Sequence, residues 1–116
     1  MSKIIGRFYF KLTDSKNLIG EFSNNGCDRN YTESADLDHR EPEDGKFIGQ
    51  YFTTWHDDES SNHIGALAKL EIKEKSGCKN IFNLKWDPVS SGQPFWGEGI
   101  LCDGKLIGDY RNFETW

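Results

Sequence analysis

The sequence predicts an all-β protein, an antiparallel up-and-down meander of seven or eight strands that closes into a barrel. Three observations carry this expectation. Every convincing apolar stretch alternates with period two. An octet occurs twice, as "DGKFIGQY" at 44–51 and "DGKLIGDY" at 103–110, with six identical positions. The composition, 14% aromatic with four tryptophans and twelve glycines but a single methionine, suits a pleated sheet better than a helix.

Taken in order, "IIGRFYFKL" reads as a strand over 4–12 and "TDSKN" as the turn into a second strand at 17–24. Residues 26–45, "GCDRNYTESADLDHREPEDG", are long, polar and acidic, and read as a surface loop or lid, with room for an eighth strand within 29–37. The first octet opens a strand at 46–56 with Phe47, Gly49 and Tyr51 on one face. In 66–74 the residues Ala68, Leu70 and Ile72 oppose Lys69, Glu71 and Lys73; in 80–87 Phe82, Leu84 and Trp86 oppose Asn83 and Lys85. "SGCKN" turns between these two. Strands at 94–102 and 105–113 flank Asp103-Gly104, a strong hairpin signal because Gly104 can take the positive φ of a type I′ turn. Here Leu106, Gly108 and Tyr110 share one face, and Lys105, Ile107 and Asp109 the other. The octet thus reads as a structural repeat: a turn, a glycine where the sheet curves or another segment comes close, then an aromatic. Closing the meander removes the exposed edges of an open sheet; a two-sheet sandwich is the competing arrangement.

The length suits one domain over 1–116. Three cysteines, an odd number, favour a reducing compartment. "MSKIIGRFYF" is too short and interrupted for a signal-peptide core, and no segment approaches a membrane-spanning helix. The expected location is cytoplasmic. A net charge of −5 without a basic cluster argues against nucleic acid.

The residues just read resemble the avidin/streptavidin family, calycin-type, lipocalin-like barrels of eight antiparallel strands that hold a small ligand at the open end. That family has an early G-x-W-x-N strand followed shortly by glycine; "GEFSNNG" at 20–26 offers Gly20, Phe22, Asn24 and Gly26, with phenylalanine in place of the tryptophan. Its D/R-G-x-[FL]-x-G-x-Y strand runs on into threonine or serine, and "DGKFIGQYFTT" matches with Gly45, Phe47, Gly49, Tyr51 and Thr53. "FNLKWD", containing Trp86, and "FWGEG", with Gly97 and Glu98, stand for two later strands. The likeness spans about residues 20–102; the stretch from Asn24 to Gly45 is longer than the family's, and "IIGRFYFKL" precedes the matched region. The resemblance implies that Asn24, Tyr51, Thr53 and Trp86 touch ligand.

Alternation adds Trp55 and Tyr110 to Tyr51 and Trp86 as aromatics able to face a barrel interior, where they either line a pocket or fill the core. "WHDDESSNH" at 55–63, with His39 upstream, holds His56, Asp57, Asp58, Glu59 and His63, but matches no compact metal motif and reads as an exposed hairpin loop. No nucleophile elbow, phosphate loop or HExxH pattern is present. The expected function is non-enzymatic binding of a small organic or apolar ligand at the barrel's open end through Asn24, Tyr51, Thr53, Trp55, Trp86 and Tyr110, with no metal or cofactor. The alternatives are a solidly packed protein-interaction module of inhibitor or immunity type, acting through its acidic loops, and, third, an isomerase or cyclase using a histidine in a barrel cavity.

Overall fold

Eight antiparallel strands follow one another around a closed barrel in the computed structural model, which describes residues 3–40, 47–55, 66–89 and 92–113. They are β1 (Ile5–Leu12), β2 (Leu18–Asn24), β3 (Tyr31–Arg40), β4 (Gly49–Trp55), β5 (Ala66–Glu74), β6 (Ile81–Pro88), β7 (Phe95–Cys102) and β8 (Lys105–Arg111). Each pairs with its neighbour in sequence, and β8 returns to pair with β1, with Phe8 opposite Gly108 and Phe10 opposite Leu106. The ladder therefore has no free edge.

The alternation read from the sequence becomes the division between interior and exterior. Phe8 and Phe10, Leu70 and Ile72, Phe82 and Leu84, and Leu106 are buried inward, each adding about 1.5–3 kcal/mol of hydrophobic stabilisation. Lys69, Lys73, Asn83, Lys85 and Asp109 face out. The interior is apolar, and the exterior mixes these polar side chains with exposed Ile19, Phe52, Ile100 and Ile107. Among the described residues no helix is long and apolar enough to cross a membrane.

The Asp103-Gly104 turn has φ of 53° and 76° at its two central residues, both positive as type I′ requires. The octet's second glycine marks a close approach: a Cβ on Gly108 would lie 2.1 Å from the Glu98 carbonyl oxygen and 2.6 Å from Gly99 Cα. β7 and β8 can pair this tightly only because nothing projects there.

One stretch differs from its sequence reading. Residues 31–40, within the span read as an acidic loop, form β3, a full stave between β2 and β4. Thr32, Ser34, Asp36 and Asp38 point outward; Glu33 and Ala35 are buried inward, with Tyr31 and Leu37 half-buried on the same side. The register with β4 shifts between Leu37 and His39, a bulge that bends the strand as closure demands. Residues 41–45 of the expected loop lie outside the described residues.

Candidate functional site

Alternating strand direction places the start of β1, the end of β2, the start of β3 and the ends of β4, β6 and β8 at one rim. Gly6 on β1 sits opposite Asn24 on β2 and Tyr110 on β8. A Cβ on Gly6 would fall 2.4 Å from the Tyr110 ring, so the missing side chain is the space that ring occupies. Across it, Asn24 Nδ2 donates to the Tyr110 hydroxyl at 2.9 Å. Asn24 Oδ1 accepts from the Gly26 backbone N–H at 2.8 Å, which fixes the amide's orientation and leaves its N–H groups for Tyr110.

Beneath this pair lies a residue the sequence reading passed over. Glu33 on β3 is 6% exposed. Its Oε2 accepts from the Thr53 hydroxyl at 2.5 Å and from the Trp86 indole N–H at 2.9 Å. Burial pushes the Glu33 carboxyl up to about 7, against the opposing pull of the two hydrogen bonds. The ordering of effects is physical: removing a carboxylate from water costs more than two neutral donors return.

Aromatic rings pack around Trp86, which donates to this carboxyl, and around Tyr110. Trp86 meets Phe8 edge-on at a centroid distance of 5.5 Å and lies 6.0 Å from Tyr110. Phe95 packs edge-on to Tyr110 at 5.6 Å, and Phe22 stands edge-on to both Tyr110 and Trp55, at 6.2 and 6.4 Å. These are ordinary attractive geometries for ring pairs. Burial also raises the Tyr110 hydroxyl well above its usual range, with Glu33 adding to the effect, which places both groups in one electrostatic neighbourhood.

Of the six residues picked from sequence, five gather here: Asn24, Thr53, Trp55, Trp86 and Tyr110. Tyr51 leans elsewhere. Its hydroxyl donates to the Phe47 carbonyl at 2.8 Å, back toward the opposite rim, and burial raises it to about 12. The sequence signal for Glu33 was present in "YTESADL", whose period-two pattern puts positions 31, 33, 35 and 37 on one face.

Among the described residues no three His, Cys, Asp or Glu side chains come together as a metal site. His56, Asp57, Asp58, Glu59 and His63 lie outside the described residues, and of His39 only the backbone pairing with Gln50 is described. Cys27, Cys78 and Cys102 are free thiols. An open groove also runs over β1 and its neighbours β2 and β8, lined by Arg7, Tyr9, Lys11, Glu21, Lys105 and Asp109 and reaching Asn24 at the rim. Chemically, the interior site offers one carboxyl that titrates near neutrality, an amide–phenol pair and several aromatic faces. Comparison with protein-family models, with curated proteins and with solved structures finds no match to this chain.

Proposed function

We propose that the protein is a non-enzymatic binder of a small organic molecule, which enters at the rim of Asn24 and Tyr110 in the manner of the avidin-like barrels its motifs resemble. The observation that carries this reading is Glu33, buried among aromatic rings and held by Thr53 and Trp86. A barrel interior that only needs filling is better served by an apolar side chain, because a buried carboxyl lowers stability. Groups of this kind are expected where orientation of a ligand offsets the loss. Trp55, Trp86 and Tyr110 would give contact area; Asn24, Glu33 and Thr53 would give the orienting hydrogen bonds. Since Trp86 is itself part of the wall, intrinsic tryptophan fluorescence is the natural probe. Titration with biotin and with a panel of small aromatic and aliphatic compounds is expected to quench or shift the emission for at least one. A flat response across the whole panel would count against the proposal.

The second reading, an interaction module, is favoured by a different observation, the direct ring-on-ring contact at 5.5–6.4 Å, which is how a filled core looks. Its acidic surface would include Asp28, Asp36 and Asp38, all exposed. Because 31–40 is a stave of the barrel, removing that span would destroy the fold rather than a loop. Charge reversal at Asp28, Asp36 and Asp38 is the cleaner comparison: it weakens attachment to a basic partner and leaves ligand-induced fluorescence changes in place.

A further inference from the structure

We infer that the ligand carries a small organic cation, an ammonium group, seated between Glu33 and the faces of Trp86 and Tyr110. This deepens the small-ligand reading above and rests on it.

The argument begins with how Glu33 is held. Both of its hydrogen bonds converge on Oε2, and among the described residues Oε1 accepts none. The indole N–H of Trp86 can only donate, so the neighbour chosen for this carboxyl is one that favours its ionised form.

Among the described residues no cation is paired with the ionised group. Its neighbours among the described residues are Thr53 from β4 and Trp86 from β6, which donate to it, and Tyr110 from β8, whose hydroxyl feels its charge. The titratable group among these is Tyr110, with the Cys27 thiol beyond it. Neither of them can supply a positive charge. Among the described residues no charged neighbour contributes to the Glu33 shift, which burial dominates.

The surroundings suit a cation for a second reason. The faces of tryptophan and tyrosine rings are negative and attract an ammonium group, most strongly where water is excluded. An anionic ligand would meet repulsion from the ionised carboxylate. A carboxylate with an oxygen that accepts from no described residue, set among aromatic rings, is chemistry that recognises an amine.

The probes are 2-phenylethylammonium and its uncharged analogue 2-phenylethanol, titrated by tryptophan fluorescence at pH 6 and pH 8 against the wild-type chain and Glu33→Gln. With Glu33 titrating near 7, its ionised fraction rises about tenfold across this interval. The Kd of the ammonium probe is therefore expected to fall by up to about tenfold at pH 8, while that of the alcohol stays constant. In Glu33→Gln the pH dependence and the preference for the ammonium probe should both vanish. A wild-type measurement guards against a variant that does not fold: calorimetry at pH 7 in phosphate and in Tris should reveal about half a proton released per ammonium bound. Binding of the alcohol but not the ammonium probe, an ammonium preference that survives Glu33→Gln, or binding without proton release would overturn the cation while leaving the pocket. Silence from both probes at both pH values would overturn the cation, and the pocket falls with it only where the wider panel is silent too.

Discussion

Replacing Glu33 by glutamine keeps the side chain's shape and an acceptor oxygen for Thr53 and Trp86 but removes the ionisation. The carboxyl titrates at about 7 in the folded barrel against 4.5 in the open chain. Its folded pKa is raised, so between these values the native state binds more protons than the unfolded state, and stability falls as pH rises. Two and a half units correspond to about 3 kcal/mol, nearly all of it lost by pH 8. Between pH 5 and pH 8 the loss is about 2.5 kcal/mol, a large share of what a domain of this size has to spare. Nineteen acidic residues contribute to the total pH profile, so the informative quantity is the difference between the wild-type chain and Glu33→Gln. Urea unfolding followed by tryptophan emission at pH 5, 6, 7 and 8 supplies it. With an m-value of about 1.3 kcal/mol/M, the midpoint of Glu33→Gln should gain about 2 M on wild type across that range. The gain should begin near pH 5 and level off above pH 7. Parallel profiles for the two chains would refute the reasoning, because they would mean that Glu33 reaches water in the native state.

Two further outcomes follow from the same geometry. Gly108→Ala drives a Cβ into the backbone of β7 at Glu98 and Gly99 and should lower stability by about 3 kcal/mol, read as a drop in the urea midpoint; an unchanged midpoint would mean that the β7–β8 register is looser than described. Tyr110→Phe strips the acceptor from Asn24 Nδ2 and should cost about 1–2 kcal/mol. A double-mutant cycle with Asn24→Ala should show a coupling of about 1 kcal/mol, and additive losses would argue that the pair is not formed.

How far the sequence could be read depended on what the interior is made of. The staves carrying Leu70, Leu84 and Leu106 were legible because an inward apolar residue every second position is an unambiguous sign of a half-buried strand. Asp103-Gly104 was legible because few residue pairs tolerate two positive φ values. β3 was admitted only as an option, and Glu33 not noticed, for one reason. An inward glutamate interrupts the apolar alternation, so the residue that defines the site also concealed the strand that bears it. The grouping of Tyr51 with Trp86 and Tyr110 shows another limit. Both tyrosines occupy the last position of an octet and both face inward, yet Tyr51 reaches back to Phe47 and Tyr110 forward to Asn24. Alternation tells in from out; it does not tell toward which rim an inward ring leans, which depends on what its strand's partners leave open. Gly6 leaves that space for Tyr110.

The carboxyl that weakens the barrel when it ionises is also the group that, in the binding reading proposed above, would give the interior a preference among ligands, and this bears on the choice between the two functional readings. In a core that is merely filled, Glu33 lowers stability above pH 5 with no return, and the donors Thr53 and Trp86 only moderate the loss. In a binding barrel the same ionisation creates the partner for a cation, and the bound cation stabilises the native state by mass action most strongly where the empty barrel is weakest. Fold and site are then joined through one proton: losing it destabilises the empty protein and readies the site. Apolar packing alone would give neither effect, which is why the aromatic rings, numerous as they are, carry less of the functional argument than the single acid they surround.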